Sequence, residues 1–213
     1  MFEKLLYLPL DIENPPLDCL DKLNDIDYQN IIRDDFRNCW HVPLMHSADK
    51  TDYQWTPYAN DFPSLKEWAE DVVFPYTGKS RIMIITTKPG QANPPHIDCS
   101  PEMFSTLQHK FRYVLQGNVD DLVFMSDQGD ISLKEEIDKP FIMSGRWPHY
   151  MLNTHTNTKF TFAFGAPWDS NLNNPKYYSL LLGSKIMYND YYIDYEDINL
   201  PLDYERYYEQ KYK

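Results

Sequence analysis

RIMIITTK (81–88), KFRYVLQG (110–117), DLVFMSD (121–127), DISLKE (130–135), PFIMSG (140–145), HYMLNT (149–154) and KFTFAFG (159–165) are seven short runs of alternating or clustered apolar residues, divided by turn-forming residues. Extended backbone points successive side chains to opposite faces, so each run reads as a strand with one face toward a core. Seven strands within residues 81–168, joined by short connections, predict an antiparallel sandwich or barrel. The segment SDQGD (126–130), between Phe124 and Ile131, carries the residues of a hairpin turn.

On the N-terminal side the pattern weakens. Residues 1 to about 80 read as a mixed helical and loop region, with partial helical spacing in LDCLDKLNDI (17–26) and YQNIIRDDFRNC (28–39) and an irregular connection over residues 41–63. Ser64 and Glu67 after Pro63 have the spacing of a capping box, and Leu65, Trp68, Ala69, Val72 and Val73 give one apolar face that should end at Pro75. Beyond the barrel stretch, Pro175 marks a helix start in NLNNPKYYSLLLGSKIMYNDYY (171–192). The tyrosine-rich tail, residues 193–213, has no clear period. A chain of 213 residues with no repeat is expected to be one domain, mainly β with flanking helices: 1–80 as support, 81–168 as the barrel and 169–213 as an extension.

Composition narrows the function classes. Aromatic residues make up 15% of the chain, which favours a β-rich interior and excludes a disordered one. A formal charge of -12, with no Lys/Arg run, argues against nucleic acid and anionic membrane surfaces as partners. Cys19, Cys39 and Cys99 are odd in number and widely spaced, which fits reduced thiols in a cytoplasm rather than a disulfide framework. The N-terminus lacks the basic start and long apolar run of a secretory signal, and no stretch reaches the ~20 apolar residues of a membrane span.

The chemistry-bearing stretch is PGQANPPHIDCS (89–100), where His96 and Asp98 are separated by one residue. In extended backbone their side chains point the same way and can reach one ion. A histidine from another strand completes a two-histidine, one-carboxylate set, which leaves open positions on non-haem iron(II). His149 is the first candidate, with His155 as a rival if the strand register shifts. Lys159 lies ten positions beyond His149, and Thr161 follows on the same strand face. A cation and a hydroxyl so placed suit the far carboxylate of a keto dicarboxylic acid.

PGQANPPHIDCS, KFRYVLQG and GRWPHYMLNTHTNTKFTFAFGAPW (145–168) together resemble the iron(II)/2-oxoglutarate-dependent oxygenases. Within them the resemblance is to the aspartyl/asparaginyl β-hydroxylase-like branch that includes small-molecule proline hydroxylases. It covers residues 81–168 and implies a double-stranded β-helix, a jelly-roll or cupin-like barrel. It further implies Fe(II) held by His96, Asp98 and His149, 2-oxoglutarate as cosubstrate with its C5 carboxylate on Lys159, and O2 as oxidant. The branch usually has arginine at the Lys159 position, so a bidentate clamp becomes a point-charge contact. The resemblance also places Arg112 near a cosubstrate or substrate carboxylate, and Asn153 where it orients a ligand or bonds the cosubstrate. An aspartate at position 98, where related halogenases have a small residue, favours hydroxylation over halogenation. The implied substrate is an amino-acid-like small molecule or a peptide or protein side chain.

Two other functions fit the same residues: a cupin-like metalloenzyme that uses no keto acid, and a non-catalytic barrel-type interaction module. His46 and His109 read as solvated or structural histidines, and Trp147 and Tyr150 as packing residues. Trp40, His41 and Trp55 are candidates to line a lid.

Overall fold

The computed structural model describes residues 2–27, 31–49, 51–98, 109–134, 138–164, 174–194 and 199–207. Cys99, residues 165–173 and parts of the tyrosine-rich tail, which the sequence analysis invoked, lie outside them. In chain order the strands are β1 (Leu5–Pro9), β2 (Ile32–Asp34), β3 (Cys39–His46), β4 (Gln54–Trp55), β5 (Ile82–Thr87), β6 (Ala92–His96) and β7 (His109–Gln116). They continue with β8 (Leu122–Phe124), β9 (Ile131–Ser132), β10 (Phe141–Ser144), β11 (His149–Leu152), β12 (Lys159–Phe164) and β13 (Ile193–Asp194).

All seven alternating runs form strands, and the chain is mainly β, folded as two antiparallel sheets. The larger runs β13-β1-β10-β7-β12-β5-β3-β2, with β4 paired to β3. The smaller runs β6-β11-β8-β9. The expected hairpin is the β8–β9 pair, whose turn includes Gly129 at a φ of 117°.

β12 shows how one strand serves two purposes. Phe160, Phe162 and Phe164 enter the main core, whereas Lys159, Thr161 and Ala163 line a cavity on the other face. β7 divides likewise, with Phe111, Tyr113 and Leu115 in the core and Lys110, Arg112 and Val114 on the cavity. Each large apolar side chain so buried contributes about 1.5–3 kcal/mol, and their fixed positions aim the charged neighbours inward.

The first eighty residues differ from the expected helical and loop support, because they supply four strands to the larger sheet. β1, LLYLP, is buried at all five positions and so shows no alternation. The helices are α1 (Leu20–Asp25), α2 (Pro63–Trp68), α3 (Phe74–Thr77) and α4 (Pro175–Met187). The capping box does not form: the N-cap of α2 is Phe62, and Ser64 Oγ donates instead to Asp18. Nor does Pro75 end the helix, since a π turn over Ala69–Val73 leads into α3, which reaches Thr77 before Gly78 at a φ of 68°. Proline lacks the N–H and crowds the preceding turn, and a widened turn accommodates both. α4 starts as expected, with Pro175 in its first turn and the Asn174 side chain accepting from Lys176 N and Tyr177 N. Among the described residues no helix is long and apolar enough to cross a membrane.

Candidate metal centre

His96 closes β6 and His149 opens β11, and the two stand opposite each other in that antiparallel pair. Their rings are 4.4 Å apart, centroid to centroid. Asp98 follows in the next turn, with its N–H bonded to Gly145 O at 2.9 Å. One ligand atom from each of His96, Asp98 and His149 lies within 4.8 Å of the other two, and all three residues are buried. His155 sits in the turn after β11 and is not part of this group.

Backbone carbonyls set the tautomers. His96 Nδ1 faces Pro94 O at 2.7 Å and His149 Nδ1 faces Trp147 O at 2.8 Å. A carbonyl can only accept, so each Nδ1 carries the proton and each Nε2 presents a lone pair toward Asp98. His96 Nε2 is 3.4 Å from Asp98 Oδ1, and His149 Nε2 is 3.9 Å from Oδ2. Burial pulls the His149 imidazole down to about 3, with His96 beside it adding to the effect, so the ring is neutral. For Asp98, burial pushes the carboxyl up, but the Lys110 and Arg37 cations close beside it outweigh this and hold the group well below the usual range. Two neutral imidazole nitrogens and an ionised carboxylate, pinned from behind, fit a divalent transition metal.

Two cations rest on these ligand atoms. Arg37 donates from Nη2 to Asp98 Oδ1 at 2.9 Å and from Nε to His96 Nε2 at 3.3 Å, while Asp34 holds its other side at 2.7 Å. Lys110 Nζ lies 3.0 Å from Asp98 Oδ2. Sequence reasoning missed both. Lys110 was accessible to it, since it alternates with Arg112 on one strand face; Arg37 reaches the site through tertiary folding and has no local signal.

From the tyrosine-rich tail, Tyr207 backs the segment between His96 and Asp98. Ile97, between the two ligands, donates its N–H to the Tyr207 carbonyl and packs against the Tyr207 side chain. Outer supports of metal ligands are typically worth about 10–100-fold in affinity. Tyr207→Ala is therefore expected to weaken Fe(II) binding about tenfold in anaerobic titration calorimetry; unchanged affinity would reduce the tail to a cover.

The cavity in front of the triad has a volume of about 270 Å³, and Lys159, Thr161 and Arg112 all line it. Lys159 is not a solitary cation: its ammonium pairs with Asp121 Oδ2 at 3.0 Å and donates to the Asn118 carbonyl. Gly117 permits this packing, since a Cβ there would come within 2.9 Å of Lys159 Cγ and the residue has a φ of 108°. Gly117→Ala is accordingly expected to cost about 1–3 kcal/mol, read as a lowered urea midpoint at constant m-value.

Asn153 is fully buried, but it does not line the cavity. Its amide donates to Thr87 O and Asn157 O, both at 2.9 Å, and its oxygen accepts from His155 N at 3.1 Å. It fastens the turn between β11 and β12 rather than facing a ligand. His46 is exposed, His109 is buried against the Tyr177 hydroxyl at 2.8 Å, and Trp147 packs in the core with its indole on Met125 O. Of the lid candidates Trp40, His41 and Trp55, His41 lines the cavity.

No protein-family model matches the sequence, and no curated protein does. Among solved structures, the fold is similar to a Pseudomonas putida prolyl-4-hydroxylase at 10% identity and a TM-score of 0.48, covering 78% of this chain and 95% of that one. It is also similar to an oxidoreductase of the 2OG-Fe(II) oxygenase family from Burkholderia pseudomallei, at 11% identity and a TM-score of 0.44, covering 73% and 82%. A third is a Trichoplax adhaerens prolyl hydroxylase in complex with a peptide fragment of hypoxia inducible factor, at 12% identity and a TM-score of 0.44, covering 79% and 86%. At such identities and scores the likeness carries no functional weight.

Proposed function

We propose that this chain is an iron(II)- and 2-oxoglutarate-dependent oxygenase with a double-stranded β-helix barrel, hydroxylating a C–H bond of an amino-acid-like small molecule or a peptide side chain. The observation that carries the proposal is the pair of imidazoles locked by backbone carbonyls with both Nε2 atoms turned toward one buried carboxylate. That is the ligand set of a non-haem iron centre with open positions.

Bound there, iron(II) and 2-oxoglutarate supply dioxygen activation, with succinate and CO2 as coproducts. The protein contributes positioning. His96, Asp98 and His149 hold the metal on one side of the cavity. His96 Nε2 has a single lone pair, so Arg37 Nε, now 3.3 Å from it, would have to release it for the residue to hold a metal. Lys159 keeps its ammonium fixed through Asp121 and the Asn118 carbonyl, and its remaining proton together with the Thr161 hydroxyl receives the C5 carboxylate. The apolar residues of the cavity wall limit water around these charges.

Anaerobic addition of Fe(II) and 2-oxoglutarate to the protein is expected to produce a weak visible charge-transfer band. Lys159→Met should keep iron binding and weaken 2-oxoglutarate by about tenfold or more, the worth of one charge-assisted contact. Metal binding with no band at saturating 2-oxoglutarate identifies the metalloenzyme that uses no keto acid. No succinate release across an amino-acid and peptide panel identifies the interaction module, and a His96→Ala variant that binds both ligands like the parent overturns the site assignment.

A further inference from the structure

We propose that the outer face of α4 is where a second copy of this chain docks, the two helices crossing antiparallel about a two-fold axis near Leu182 and Gly183. The pairing is independent of the proposed reaction and of the cavity that serves it.

The helix has no polar face. On its inner side Tyr177, Leu180 and Leu181 enter the main core, and the Ser184 hydroxyl accepts the Asp11 N–H at 2.9 Å. On its outer side Tyr178, Leu182, Ile186 and Met187 are 38%, 39%, 76% and 58% exposed. Lys176 is the one charged residue among the exposed positions of α4, since Lys185 is half-buried with its ammonium 3.8 Å from the Tyr192 ring centroid. A helix that is apolar all round belongs in a buried setting. A contiguous apolar patch on a chain whose formal charge is -12 marks a contact surface.

Shape selects a second copy as the occupant. Tyr178, Leu182 and Ile186 recur at intervals of four and so form one ridge, with the Tyr178 ring held edge-on by Phe2 at 5.5 Å. Ser179 and Gly183 form the row beside it, and a Cβ built on Gly183 would meet nothing within 4 Å. This row opens into a groove of about 620 Å³ whose far wall is Pro75 and Tyr76. One helix thus carries both a ridge and a groove of matching pitch, and a two-fold axis lets two copies bury both at once. Its 13 residues span about 20 Å, enough for the centre of a contact of about 800 Å² per copy, with Pro75 and Tyr76 at the margin.

Charge sets the direction. Lys176 stands six residues before Leu182, and Asp190 stands seven after Gly183 in the 3-10 turn that follows the helix. An antiparallel crossing at Leu182 and Gly183 therefore brings each Lys176 toward the partner's Asp190. A parallel crossing would set lysine against lysine and aspartate against aspartate, which is repulsive. Both side chains are exposed, and among the described residues neither makes an ion pair within its own chain.

Sedimentation equilibrium of the full chain, from about 1 to about 200 µM, should show monomer and dimer in exchange with a micromolar Kd, as suits a contact of this size. Leu182→Lys and Ile186→Lys should each weaken the dimer about thirtyfold or more, the effect of a central anchor. Leu202→Lys, at a side chain 97% exposed outside α4, should leave it unchanged. Lys176→Glu and Asp190→Lys should each weaken association, and the two together should restore it. Far-ultraviolet circular dichroism of every variant checks that the helix is retained, so that a lost dimer is read as a lost contact. A chain that stays monomeric across the whole range overturns the inference. So does a dimer indifferent to the two α4 lysine substitutions, or one that the paired charge exchange fails to restore.

Discussion

His149→Ala is expected to abolish Fe(II) binding, by the geometry of the site, while His155→Ala should leave it unchanged. Outer supports alone are worth about 10–100-fold in metal affinity, so losing a ligand should exceed about a hundredfold. His149 and Asp98 interact through atoms 3.9 Å apart, and nothing else in the group offers a nitrogen on that side. The folded state should persist, since Phe124 and Trp147 frame the position independently of the ring. Anaerobic calorimetry with Fe(II) on both variants checks the contrast. Equal binding by the two, or loss in the His155 variant alone, would remove His149 from the centre.

Asp121→Ala should be the most destabilising change near the cavity. Lys159 and Asp121 expose only 2% of each side chain and lie 3.0 Å apart. Removing the acid strands a buried ammonium, at a cost of about 3–5 kcal/mol. The Asp121 carboxylate also accepts from the Thr154 hydroxyl at 2.9 Å, a bond lost as well. Burial already draws the Lys159 ammonium down, partly offset by Asp121, so the variant should be forced toward a neutral amine. Replacing both partners with apolar residues, Lys159→Met with Asp121→Leu, should recover most of the stability. Urea unfolding of the two variants separates the cases; a loss below about 1 kcal/mol for Asp121→Ala, the range of an exposed pair, would mean that solvent reaches the ammonium.

Much of this was legible in the sequence for identifiable reasons. Strands with one apolar face announce themselves by alternation, and the seven runs from Arg81 to Gly165 did so. β1 escaped because both of its faces are buried, and β3, CWHVPLMH, because proline and histidine interrupt its pattern. The His96–Asp98 pair was visible because spacing by two aims both side chains one way, and His149 because it begins a strand. Asp121 and Arg37 were not visible, since their roles depend on which loops meet in space. The same holds for the Lys159 partner: spacing located the cation, and only the fold revealed that a carboxylate already holds it.

β1 lies between β10 and β13 in the larger sheet, and the residue after His96 leans on Tyr207. Segments nearly two hundred positions apart must therefore meet before either structure is finished. During synthesis, β1 has no outer neighbour and the loop around Ile97 has no backing until residues 193–207 leave the ribosome. On the proposed function, metal loading is then a late event in maturation, and a nascent chain halted upstream presents an open sheet edge that invites self-association.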